Sequence, residues 1–135
     1  MEERMFKLTS RKGSVVLKVI PGHFATSNSH VNYYLEMTTL KARQSEAEEA
    51  ARVLVTQYIS TTVVDTILCL DGTQIIGAYL AQELNTSGFM SINAHQTIYV
   101  VAPEYDTYGQ MIFRDNLQPM IRGKHVLILM ASVTT

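Results

Sequence analysis

Apolar, β-branched runs alternate along this chain with two stretches of helical periodicity. Residues 1–13 are polar and basic, with Arg4, Lys7, Arg11 and Lys12 before Gly13, and predict an arm or short helix. Ser14 to Ile20 is rich in β-branched residues and stops at Pro21-Gly22, a turn signal, so it predicts a strand. His23 to His30 is polar, with Thr26-Ser27-Asn28-Ser29 at its centre, and Val31 to Met37 resumes as a strand. Together these predict a hairpin around a loop longer than the tightest turns need. Ser45 to Ile59 carries the clearest helical pattern, with Ala47, Ala50, Ala51, Leu54, Val55 and Tyr58 recurring at helical spacing. Ser45 is placed to cap it, and Glu46, Glu48 and Glu49 suit the positive first turn. These acids read as a solvated helix start rather than a metal site.

Val63 to Leu70 is a short apolar run that predicts a buried strand. Asp71-Gly72-Thr73-Gln74 predicts a loop, and Ile75 to Leu84 a second helix in which Gly77 and Ala78 permit close packing on a sheet. Asn85 to Gly88 predicts a turn. Gln96 to Ala102 predicts a third core strand, ended by Pro103; Glu104 to Gly109 a loop; Gln110 to Phe113 a short strand; His125 to Met130 the last strand. Strands alternating with helices imply an α/β fold with a mainly parallel sheet covered on both faces. Ligands in such sheets bind beyond the carboxyl ends of the strands, which directs attention to the loops after Leu70, Ala102 and Met130.

Length adds that 135 residues suit a single domain. Residues 1–40 would form an arm and hairpin hood, and residues 41–135 an α/β core. Composition is globular, with 47% apolar and 17% charged residues. Lys and Arg total 11 against 12 Asp and Glu, and this balance argues against a nucleic-acid partner. No apolar run approaches the roughly 20 residues of a membrane helix, so no membrane partner is expected, and no signal peptide is visible. One cysteine, Cys69, rules out an intramolecular disulfide and fits a cytoplasmic setting.

Candidate chemistry sits in the loops. Asp71-Gly72-Thr73-Gln74 has the strand–loop–helix form of an anion site: Gly72 permits close backbone approach, and a helix from about Gln74 offers free amides. It lacks the spaced glycines of a dinucleotide fingerprint and the Gly-Lys-Ser/Thr of a P-loop. Ser132-Val133-Thr134-Thr135, after the last strand, offers hydroxyls and amides that can surround a phosphate. The four histidines, His23, His30, His95 and His125, show no metal-ligand spacing, and no metal site is expected. Cys69, inside a strand, reads as a small core residue rather than a nucleophile. Tyr33-Tyr34 alternates across a strand, so one ring can face outward beside His30 and stack on a planar base.

The whole chain resembles the front part of an orotate-type phosphoribosyltransferase, with the adenine enzyme as a second likeness. Gly22-His23-Phe24-Ala25-Thr26-Ser27-Asn28-Ser29-His30 through Tyr33-Tyr34 is similar to the family's base-binding hairpin. Val63 to Leu84 is similar to its strand, pyrophosphate loop and helix, with Asp71 to Gln74 as the loop and Leu80-Ala81 in the helix. Val100 to Gly109 is similar to the strand entering the mobile catalytic loop, through Glu104 and Tyr108-Gly109. Gly123 to Thr135 is similar to the ribose-phosphate signature. The resemblance implies a parallel sheet under a small hood. It also implies transfer of phosphoribosyl from phosphoribosyl pyrophosphate to a nucleobase, with magnesium, in a homodimer whose segment Ala102 to Gly109 meets the partner. Thr26, Ser27, His30 and Tyr34 would then hold the base, Asp71 to Gln74 the pyrophosphate, and Ser132 to Thr135 the 5′-phosphate. It further implies that the chain ends inside the phosphate loop, as a truncated form would.

The chain also departs from that pattern. Met130-Ala131 stands in place of the family's acid pair, Ala102-Pro103 and Asp106 in place of loop cations, and Thr26 in place of the hairpin lysine. Removing one transition-state donor elsewhere has cost on the order of a hundred- to a thousand-fold in rate. These departures favour a second reading, a catalytically inactive relative that binds a nucleotide or sugar phosphate. A structural subunit pairing with an active homologue is a third. Arg114, Arg122 and Lys124 are the nearest replacement cations by sequence.

Overall fold

The computed structural model describes residues 4–9, 15–25, 29–58, 62–86 and 92–132. The chain forms a mixed α/β fold with two main sheets. Strands β1 (Phe6–Thr9), β2 (Val16–Ala25) and β3 (His30–Glu36) make an antiparallel sheet in the order β1-β2-β3. The basic N-terminal stretch is thus partly a strand rather than a helix. Its Phe6, Lys7, Leu8 and Thr9 pair with Val19, Lys18, Leu17 and Val16. This third strand turns the expected hairpin into a three-stranded hood.

β2 also runs through Pro21-Gly22, where a turn was expected. β1 begins opposite Val19, so among the described residues only β3 pairs with β2 at Pro21. Proline is tolerated at such an edge, because its missing N–H costs no ladder bond there. The register with β3 shifts between Pro21 and Phe24, a bulge that absorbs one extra residue of β2.

Two helices follow. The short α1 (Thr38–Ala42) carried no sequence signal, and α2 (Gln44–Tyr58) begins one residue before Ser45, which therefore sits inside the helix and is exposed. β4 (Thr66–Cys69) and α3 (Gln74–Thr86) come next, then β5 (Tyr99–Val101). β6 (Glu104–Tyr105) and β7 (Met111–Ile112) form a small antiparallel pair where residues 104–109 were expected to be loop only. Asp106 shapes the connection: its carboxylate accepts the Tyr108 and Gln110 amides, both at 2.8 Å. A 3-10 turn at Gln118–Met120 precedes β8 (Val126–Leu129).

The core sheet is parallel, in the order β5-β4-β8. All four residues of β4 are buried, as its continuous apolar run predicts. Ile67 and Cys69 meet α3, where Gly77 lets the helix lie directly on the strand. Ala47, Ala51 and Val55 of α2 join Ile76, Leu80 and Leu84 of α3 in the same cluster. Both helices therefore cover one face. On the other face the Thr66 hydroxyl donates to the Met120 carbonyl in the 3-10 turn, and Ile128 is exposed.

Two polar clasps hold the strand entrances. Buried Asn93 accepts the Val64 amide and donates to the Thr62 carbonyl, both at 2.9 Å. The Asp65 carboxylate accepts the His125 amide at 2.8 Å and lies 3.0 Å from its Nδ1. Among the described residues no helix is long and apolar enough to cross a membrane.

Candidate functional site

β4 is the first strand of the core sheet and lies at its centre. β5 pairs with one side of it and β8 with the other, so the winding direction reverses between β4 and β8. In an open α/β sheet the crevice beyond the carboxyl ends at this reversal is where ligands bind. The loops there follow Leu70 and Leu129. The third expected loop, after Ala102, leaves from the far side of β4 and leads to β6 and β7.

The first loop is a tight turn. Asp71 and Gly72 both take left-handed backbone angles, φ 57° and 74°, and the Thr73 amide donates to the Leu70 carbonyl at 3.2 Å. Two successive left-handed residues define a primed turn, which suits glycine and is tolerated by aspartate. α3 starts immediately afterwards at Gln74, whose side chain is exposed. Thr73 is buried, and its hydroxyl lies 2.7 Å from the Leu70 carbonyl and 3.1 Å from that of Leu129. That hydroxyl clasps the ends of two strands.

The second loop is joined to the first. The Ala131 amide donates to Asp71 Oδ2 at 3.3 Å. From the hood side, Lys41 of α1 donates to the Asp71 carbonyl at 2.9 Å. A cleft of about 430 Å³ opens between these loops and β3, lined among others by Tyr34, Glu36, Lys41, Asp71, Ala131 and Ser132. The structure thus brings together one expected member of each group: Tyr34 of the base set, Asp71 of the pyrophosphate loop and Ser132 of the phosphate loop.

Lys41 and Glu36 were not legible as site residues, since neither belongs to a motif. Glu36 accepts the Thr38 amide at 2.8 Å. Its carboxyl is held below the usual carboxylate range by hydrogen bonds from the Thr38 side chain and backbone, helped by the charges of Lys18 and Lys41. The cleft therefore offers a cation, an ionised carboxylate, a phenol and a serine hydroxyl.

His30 is not among the lining residues; its ring stacks on His23 with centroids 4.9 Å apart. Tyr34 leans on Phe24 with ring centroids 5.5 Å apart. Arg114 pairs with Glu104, and Arg122 lines a separate pocket with Phe113, Gln118 and Ile121. Neither reaches the cleft as a replacement cation. Thr26 and Ser27 of the base set, and Val133, Thr134 and Thr135 of the phosphate loop, lie outside the described residues. Among the described residues no three or more His, Cys, Asp or Glu side chains converge on a point that could hold a metal. Cys69 is buried, and burial pushes its thiol up, away from the range of a thiolate nucleophile.

Comparison with protein-family models, with curated proteins and with solved structures returns no match for this chain.

Proposed function

We propose that this is an orotate-type phosphoribosyltransferase-like protein whose cleft binds a nucleotide or sugar phosphate. One observation carries the reading: the cleft lies at the reversal between β4 and β8, and Tyr34, Asp71 and Ser132, drawn from three separate resembling segments, share it. Lys41 supplies one positive charge at the rim, and the first-turn amides of α3 lie directly after the Asp71-Gly72 turn. Met130-Ala131 provides no side-chain acceptor for ribose hydroxyls, so binding without turnover is the form of the proposal that the chemistry favours. Glu36 and Asp71 are too few to make a resident magnesium site. Magnesium would enter with a pyrophosphate ligand, held mostly by ligand oxygens and water.

Calorimetric titration of phosphoribosyl pyrophosphate, with and without magnesium, tests this directly. Binding at one hundred times the dissociation constant should also stabilise the fold by about 2.7 kcal/mol. No heat of binding, together with a flat melting curve across nucleotides and sugar phosphates, defeats the proposal. Transfer itself is a second reading, favoured by Lys41, a cation at the cleft that belongs to none of the resembling segments. Pyrophosphate release dependent on a nucleobase would establish it; no release with any common base would leave binding alone.

A further inference from the structure

His23 and His30 are seven residues apart and show no metal-ligand spacing in sequence, yet the β2–β3 sheet brings their rings together. His23 Nε2 lies 2.9 Å from His30 Nδ1, and the rings stack at 27° with centroids 4.9 Å apart. The bulge between Pro21 and Phe24 falls at His23, and bulges re-aim side chains in this way. Both residues are exposed, so an ion can reach them from solvent.

We propose that this pair is a bidentate site for a divalent transition metal, with copper(II) preferred. Imidazole nitrogens bind such ions at about 2.0–2.1 Å. Two of them at 90° around one ion then stand about 2.8–3.0 Å apart, whereas a tetrahedral angle needs about 3.3–3.4 Å. The 2.9 Å of the metal-free pair is a hydrogen-bond distance that coincides with the bite of a right-angled, square-planar or tetragonal copper(II) or nickel(II) site, so the rings need only turn, without parting, to aim both lone pairs at one ion. Zinc would require the rings to open by a few tenths of an ångström. Between copper and nickel, the general affinity order favours copper. No third His, Cys, Asp or Glu joins the pair among the described residues, so water would complete the coordination.

In the metal-free form one of the two facing nitrogens carries a proton and donates to the other. Metal binding needs both bare, with each neutral ring holding its proton on the far nitrogen. The change is a tautomer exchange through solvent, with no net proton loss from a neutral pair. The bound ion would cross-link β2 to β3 on either side of their connection.

The test is copper(II) chloride titration of the full chain, by calorimetry and by electron paramagnetic resonance, with nickel(II) and zinc(II) in parallel. One copper should bind per chain, with nitrogen hyperfine structure, more tightly than nickel or zinc. His23→Ala and His30→Ala should each weaken it at least tenfold, and the double variant should abolish it. His95→Ala and His125→Ala should leave it unchanged. Absence of copper binding, a tighter zinc than copper constant, or copper binding untouched by His23→Ala and His30→Ala would each overturn the assignment.

Discussion

The Ala131 amide donates to the Asp71 carboxylate at 3.3 Å, tying together the two loops that flank the reversal of the core sheet. Asp71 holds this position with a left-handed backbone, φ 57°, which strains a β-branched residue far more than aspartate or asparagine. Asp71→Val should therefore cost about 1–3 kcal/mol, from the strained angle together with the lost bond. Asp71→Asn keeps an acceptor and tolerates the angle, so it should cost less than half as much. Urea unfolding of the two variants checks the ratio, and equal losses would refute this account of the turn.

Lys41 meets the Asp71 carbonyl at 2.9 Å from the other side of the same cleft. If the cleft receives a phosphate, Lys41→Ala should weaken phosphoribosyl pyrophosphate binding about tenfold, the loss of a charge-assisted bond worth roughly 1.5–3 kcal/mol at its lower end. Lys41→Arg should retain most of the affinity. Fold stability should change little, because the bond is exposed. Calorimetry on the three forms separates a ligand role from a structural one.

Gly77 packs so closely on β4 that a Cβ there would overlap the Cys69 sulfur and stand 3.3 Å from Val100 Cγ1. In an exposed helix Gly→Ala would stabilise by about 1 kcal/mol. Here the overpacking should win, and Gly77→Ala should destabilise by about 1–3 kcal/mol. Removing the sulfur with Cys69→Ala should recover part of that loss, seen as a favourable coupling in a double-mutant cycle. Strict additivity of the two changes would contradict the packing argument.

Asp65 is held below the usual carboxylate range, first by the His125 backbone amide and then by the His125 ring. Its folded pKa lies below its unfolded one, so the unfolded chain binds the proton more readily. The stabilisation is complete above the unfolded value of about 4 and is lost as pH falls through the folded value. Asp65→Asn should remove this acid-limb dependence. Denaturant unfolding between about pH 2 and 6 shows it as a flatter stability curve for the variant than for the parent.

Much of the frame was legible from the chain alone. The buried strand at residues 66–69 follows from a run of apolar residues too short for a helix, and α2 and α3 follow from their periodicity. These are local signals, carried by neighbours in sequence. Local signals misled where tertiary pairing outweighed them. Pro21-Gly22 reads as a turn, yet the ladder to β3 draws the strand through it, beyond the last β1 pair at Val19. Residues 6–9 read as a basic arm, yet pairing with β2 makes them a strand.

The candidate site divides in the same way. Asp71-Gly72 announces its turn in two letters, because left-handed angles select those residues, and loops after parallel strands are the expected place for a ligand. Which loops face each other depends on strand order, and only pairing of β4 with both β5 and β8 decides that Leu70 and Leu129 flank the crevice while Ala102 leads away. Lys41 enters the cleft from thirty residues before Asp71. Asn93 reaches back twenty-nine residues to Val64, and His23 meets His30 across a bulge. Such contacts are set by how elements pack, and their cost in chain entropy is met by the shared core rather than by anything written beside the residue itself.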